Sequence, residues 1–312
     1  MSTYSPVPGD ELLLQPDQGD ARGRARVTRR LEKMLGTPVE FEVLKNKEGR
    51  RRTLRARGPL GRAIVKVYAS ERAPVVAGRV DALALGPEEP LVPRVLFCDR
   101  DLHLVVLSEV PGRSLREALL DGDRDKASRA GVALGRWHAA WAGMTPHGLR
   151  LHTHEREMKI LLRLAESAEP ELASAVREAG LRLASDWTAR TVVHRDLYEE
   201  QVILGERVGL IDLDDAALGP PELDVGNLIA HVDLLSRRSS TELADLLEIF
   251  VESYALSGPR LDPGLLSRCR GLALLRLACI HSRPDLVEPA LGGQERPPHW
   301  SPRRCRETPK GA

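Results

Sequence analysis

The stretch Val192-Val193-His194-Arg195-Asp196-Leu197-Tyr198-Glu199-Glu200-Gln201-Val202-Ile203-Leu204, followed by Gly209-Leu210-Ile211-Asp212-Leu213-Asp214, decides how this chain is read. Two short apolar pieces flank a polar loop, so the pattern reads strand, loop, strand, turn, strand. A second acidic group emerges just past the next apolar run. That order can bring two carboxylates, Asp196 and Asp212, and one amide, Gln201, around a shared metal–phosphate site. A carboxylate on a loop between strands can face a cleft without being neutralised by burial. The blander reading of Asp196 is a loop residue that caps a turn.

Working outward, the chain has 312 residues, enough for two lobes with sizeable cores. A formal net charge of +1 gives no argument for nucleic acid or an anionic membrane as a default partner, and neither is expected. No apolar run reaches membrane-spanning length. Residues 1–20 show no basic-then-apolar signal, so the expected compartment is the cytoplasm. Cys98, Cys269, Cys279 and Cys305 show neither a C-x-x-C pair nor ligand spacing with histidine, and read as reduced thiols. The oligomeric state stays open.

Residues 1–20 read as a flexible lead and 21–109 as a sheet-dominated small lobe. An amphipathic helix is expected over Ala21 to Leu35, stopped by Gly36-Thr37-Pro38. Alternating strands follow at Val39 to Leu44, Arg52 to Ala56 and Ala63 to Tyr68, then a helix over Glu71 to Leu85. A hairpin over Pro93 to Leu107 comes next. Pro111-Gly112 marks the lobe boundary, and 110–292 reads as mostly helical. Helices are expected over Ser114 to Leu120, Lys126 to Ala142, Glu155 to Glu166, Pro170 to Asp186, Glu222 to Ser236, Thr241 to Leu256 and Pro263 to Cys279. The tail, 293–312, reads as disordered.

Lys66 is the second strong signal. Alternation in Ala63-Ile64-Val65-Lys66-Val67-Tyr68 puts Ile64, Lys66 and Tyr68 on one face of a strand. An ammonium buried there without a partner is costly, whereas one facing a phosphate is well placed. The competing reading is an edge-strand lysine in water.

Together these residues resemble the aminoglycoside phosphotransferase family, small-molecule kinases of the protein kinase-like superfamily. The family string runs close to H-G-D-x-x-x-x-N-x-L, then I-D-F-D, then G-D-P-x-x-D-L-A. Here it reads His194-Arg195-Asp196 to Gln201, Ile211-Asp212-Leu213-Asp214, and Gly219-Pro220-Pro221-Glu222-Leu223-Asp224-Val225-Gly226. Protein kinases share His-Arg-Asp, but no A-P-E-like segment follows Asp212, which favours a small-molecule acceptor. The resemblance implies an α+β, two-lobed protein kinase-like fold with a small antiparallel-sheet N-lobe and a larger helical C-lobe. It also implies transfer of the γ-phosphoryl group from ATP, with Mg2+, to a hydroxyl of an aminoglycoside-like compound, a sugar or an amino alcohol.

In that scheme Asp196 is the catalytic base, and Asp212 and Gln201 are the metal ligands. Gln201 stands where the family has Asn; maltokinase-like relatives also carry Gln there. Lys66 holds phosphate, paired with Asp81 where kinases usually have Glu, with Glu71 as the alternative. Glu109 opens the hinge, and His194, Asp214 and Asp224 support the site. Asp214 reads equally as a solvated turn residue. A polycationic aminoglycoside would want an acidic pocket, which Glu155, Glu157, Asp233 and Glu252 could supply, as could any solvated helix face. The alternative is a catalytically weak, nucleotide-binding pseudokinase with a regulatory role.

Overall fold

The computed structural model describes residues 21–47, 49–84 and 89–292. The lead, the tail, Glu48 and Leu85 therefore lie outside the described residues. The chain divides into two compact units. One comprises Met1–Pro111, Pro146–Gly148 and Leu210–Asp214; the other comprises Gly112–Thr145, Leu149–Gly209 and Asp215–Ala312.

The first unit is built on an antiparallel sheet of β1 (Glu40–Lys47), β2 (Arg51–Gly58), β3 (Gly61–Tyr68), β4 (Val95–Asp99) and β5 (Leu104–Ser108). Their spatial order is β1-β2-β3-β5-β4. Helix α1 (Ala21–Leu35) has the span its amphipathic pattern predicts. Val27, Leu31 and Leu35 recur every fourth residue and pack on Leu54, Ala56, Ala63, Val65, Val67, Leu104 and Val106. Each fully buried Val or Leu contributes about 1.5–3 kcal/mol. That fixes the register, because a one-residue slip would drive Lys66 into this core. Helix α2 (Ala73–Ala82) follows β3 and buries Val76 and Val80.

The second unit starts at Gly112, whose φ of 141° and backbone approach to Leu204 leave no room for a Cβ. Short strand β6 (Arg113–Ser114) leads into α3 (Leu115–Leu120), opened by a capping box between Ser114 and Glu117. Then come α4 (Arg124–Ala140), α5 (His154–Glu166) and α6 (Pro170–Leu183). Helix α4 begins two residues before its expected start, because the Asp123 carboxylate accepts from Lys126 N at 3.1 Å and caps it. Strands β7 (Thr191–Val193), β8 (Val202–Leu204), β9 (Val208–Leu210) and β10 (Ala217–Gly219) interrupt the helices. β7 pairs antiparallel with β10, while β6, β8 and β9 form a second small sheet.

Helices α7 (Glu222–Ser239), α8 (Ala244–Ala255), α9 (Pro263–His281) and α10 (Val287–Gly292) complete the unit. Its core joins Leu161, Val176, Leu183, Leu234 and Leu275. Gly226 lets α7 and α9 touch, since a Cβ there would sit 2.7 Å from Arg270 N. Among the described residues no helix is long and apolar enough to cross a membrane. Cys98, Cys269 and Cys279 carry free thiols.

Candidate active site

The residues singled out in the sequence fall into two groups, one in each unit. In the first unit Lys66 is 5% exposed, on the sheet face opposite the α1 core. Its ammonium donates to Asp212 Oδ1 at 2.6 Å and to Asp214 Oδ1 at 2.6 Å. The lysine is therefore buried with partners, not displayed to water. Asp214 is likewise buried, 3% exposed, not a solvated turn residue.

A second cation shares these carboxylates. Arg51, the first residue of β2, lies across from Tyr68 of β3. Its guanidinium donates to Asp212 Oδ1 at 2.9 Å and Oδ2 at 3.0 Å, and it also bonds Asp214. Tyr68 completes the group, its hydroxyl donating to Asp214 Oδ2 at 2.8 Å. Burial, reinforced by the Asp214 charge, pushes the Tyr68 phenol well up, so it remains a neutral donor. Burial opposes charge on Asp212, yet Lys66 and Arg51 hold its carboxyl well below the usual carboxylate range. Asp212 itself sits at a φ of 62°, a left-handed conformation that Asp tolerates better than most residues.

The expected Lys66–Asp81 pair is not formed. Asp81 is exposed on α2, and Lys66 bonds Asp212 and Asp214 instead. Arg79 is the α2 residue that reaches this group, by bonding the Asp214 carbonyl. Residues 79 and 81 lie about 200° apart around a helix, so only one of them can face the sheet. Glu109, the residue after β5, takes an ion pair from Arg55 at 2.7 Å.

In the second unit the loop from His194 to Gln201 is held from beneath by Asp224 on α7. The fully buried Asp224 carboxylate accepts from His194 N at 2.6 Å and Arg195 N at 2.7 Å. It also meets His138 Nε2 at 3.1 Å, and His138 Nδ1 lies 2.8 Å from the Tyr254 hydroxyl. Asn227, one turn along α7, donates to the Leu197 carbonyl at 2.6 Å. With the backbone thus fixed on both sides of it, Asp196 remains exposed while Leu197 is buried. His194 is wholly buried. Arg195 takes a φ of 76° where the family string has Gly, a conformation that costs a non-glycine residue about 1–2 kcal/mol. Gln201 is 4% exposed, and its backbone N closes a turn on the Tyr198 carbonyl.

Of the four acids that could line an acidic acceptor pocket, two are engaged by cations within their own unit. Glu157 is 2% exposed, between His152 Nε2 at 2.8 Å and Arg276 at 3.1 Å. Asp233 pairs with Arg270. Glu155 and Glu252 are exposed. Nearer Asp196, the Tyr198 ring stacks on His231 with centroids 5.0 Å apart.

Arg51, Arg79, His138 and Asn227 were not singled out in the sequence. Arg51 looks there like one more turn arginine between Arg50 and Arg52. His138 had a usable signal, a lone polar residue between Trp137 and Ala139 on a helix with an apolar face.

A lysine bonded to an aspartate two residues past a short strand, in a five-stranded antiparallel unit, and an aspartate-anchored loop in a helical one define a kinase-like phosphotransferase fold. The phosphotransferase enzyme family model matches residues 42–263, more than half of the chain, and the protein belongs to that family. No curated protein matches it. Solved structures share its fold. Macrolide 2'-phosphotransferase MphH from Brachybacterium faecium is 18% identical with a TM-score of 0.52, covering 87% of this chain and 96% of that one. Choline kinase LicA from Streptococcus pneumoniae is 15% identical with a TM-score of 0.62, covering 88% and 99%. Amicoumacin kinase hAmiN, in complex with AMP-PNP, Ca2+ and Ami, is 16% identical with a TM-score of 0.61, covering 82% and 87%.

Proposed function

We propose that the protein transfers the γ-phosphoryl group of ATP, with Mg2+, to a hydroxyl of a small molecule. The observation that carries the reading is the buried Lys66 ammonium bonded to Asp212 and Asp214. Phosphoryl transfer needs the triphosphate held, its charge neutralised and an acceptor hydroxyl aligned.

The donor set fits a hard divalent cation. Asp212 is kept ionised, and its present partners are themselves cations standing where positive charge is wanted. Asp212 and Gln201 would hold magnesium, which when bound neutralises the β- and γ-phosphate charge. Lys66 would bind phosphate oxygens. Asp196 would orient the acceptor hydroxyl and take its proton. The acceptor oxygen then forms the new bond to the γ-phosphorus, the bond to the β–γ bridging oxygen breaks, and ADP leaves. Asp224, Asn227 and His194 would keep Asp196 in place.

The engagement of Glu157 and Asp233 by Arg276, His152 and Arg270 favours a sugar or amino alcohol over a polycationic antibiotic. The reading has the enzyme working in the cytoplasm, where ATP is available.

The test is magnesium-dependent ATP binding and turnover, with a screen of sugars, amino alcohols and aminoglycosides as acceptors. Asp196→Ala should still bind ATP but lose about 10²–10⁴ of turnover, and Asp212→Asn should lose the magnesium dependence. Nucleotide binding with no turnover for any acceptor would return the pseudokinase reading. Failure to bind nucleotide at all would overturn both.

A further inference from the structure

Arg51 is not explained by phosphoryl transfer as drawn above. Its side chain is only 11% exposed, and it makes a two-pronged contact with Asp212, the residue proposed as metal ligand. Asp212 Oδ1 already accepts from Lys66 and from Arg51, and Oδ2 accepts from Arg51. A carboxylate oxygen offers two lone pairs, so little of Asp212 is left for a metal ion while Arg51 stays. The charge count says the same. Arg51 and Lys66 together neutralise Asp212 and Asp214, and a bare divalent cation added to that group would leave it strongly positive.

Arg51 is also placed to move. It is the first residue of β2, immediately after the turn at Gly49, whose φ is 63°. Through the register Arg51↔Tyr68 and Thr53↔Lys66, it shares the sheet face of the proposed phosphate-binding lysine. A guanidinium matches two phosphate oxygens as well as it matches a carboxylate.

We propose that Arg51 is a second nucleotide-phosphate residue, resting on Asp212 and Asp214 until metal and nucleotide arrive. The divalent cation takes its place on Asp212, and its guanidinium passes to the phosphates. This rests on the kinase reading. Without nucleotide, metal binds only the fraction of molecules in which Arg51 has let go, so its apparent affinity is lowered by that fraction. With nucleotide, Arg51 adds to binding.

Two titrations on the full chain test it, with Arg51→Gln and Arg51→Lys beside wild type. The first is Mn2+ alone, followed by its electron paramagnetic resonance signal. The second is metal-free ADP, followed by calorimetry. Arg51→Gln should bind Mn2+ about tenfold more tightly and ADP about tenfold more weakly, roughly one ion-pair contact's worth in each direction. Arg51→Lys, which keeps the charge and loses the fork, should fall between on both. A residue that merely braces the sheet would weaken both ligands when replaced, and that result overturns the proposal. So does an unchanged Mn2+ or ADP affinity in Arg51→Gln. If Arg51→Gln does not fold, Arg51→Lys alone decides by the same opposite signs. Wild type that binds no nucleotide sinks the kinase reading itself, a failure separable from that of Arg51.

Discussion

The two groups of functional residues are held by different physics. In the first unit four charged side chains, Arg51, Lys66, Asp212 and Asp214, neutralise one another, and Tyr68 adds a neutral donor. In the second unit one buried carboxylate, Asp224, takes its bonds from backbone N–H groups and from His138. Ion pairs between side chains can be exchanged for a metal or a phosphate with little movement of the chain. Backbone hydrogen bonds to a buried acid cannot be exchanged without reshaping the loop. On the proposed reading, a replaceable arrangement serves the ligands that come and go, and a fixed one serves the residue that must be aimed.

The sharpest way to break that contrast is Asp224→Ala. It strands two buried N–H groups and His138, and removing one partner from such a buried charged arrangement costs about 3–5 kcal/mol. Urea unfolding should show the loss, with turnover falling further than for a variant of equal stability elsewhere. A loss under about 1 kcal/mol would mean that the loop holds its shape without Asp224.

Glu157 sharpens the contrast through pH. Burial alone would raise its carboxyl, but Arg276, with His152 and Arg195, lowers it to about 2. A carboxyl whose folded pKa lies below its unfolded value contributes stability above the unfolded value, near 4.3, and loses it as pH falls toward the folded one. Stability should therefore drop by about 3 kcal/mol between about pH 4.5 and 2 on account of this residue. Glu157→Gln should be less stable at neutral pH and flatter over that window in acid-unfolding curves. Equal acid slopes in both proteins would show that Arg276 does not hold the charge.

The smallest effect expected is at the entry to the second unit. Ser114→Ala removes the side-chain half of the capping box and should lower stability by about 1 kcal/mol with turnover unchanged, as read by thermal melting and a rate assay.

Much of this was visible in the sequence for reasons of period. Alternation placed Lys66 and Tyr68 together, four-residue spacing outlined α1, and the polar loop between apolar pieces located Asp196, Gln201 and Asp212. Partners were not visible where they depend on distance along the chain. Nothing near Arg51 shows that it meets an aspartate 161 residues later. Asp81 misled because it was placed by the kinase pattern and not by the helix face; it is Arg79 on α2 that reaches the Asp214 carbonyl. Likewise Glu157 looked free on a surface helix, since its neutralising Arg276 comes from α9, far down the sequence.

The segment Leu210–Asp214 belongs to the first unit although more than ninety residues of chain separate it from Pro111. The consequence concerns inheritance. A gene fragment ending near Pro111 would encode Lys66 and Arg51 without the two aspartates that neutralise them, leaving buried cations uncompensated. A crossover at that boundary would exchange the two halves of an ion-pair set between parents that had not selected each other's charges. The stretch up to Pro111 is therefore not a self-sufficient piece that recombination could pass intact from one parent to another.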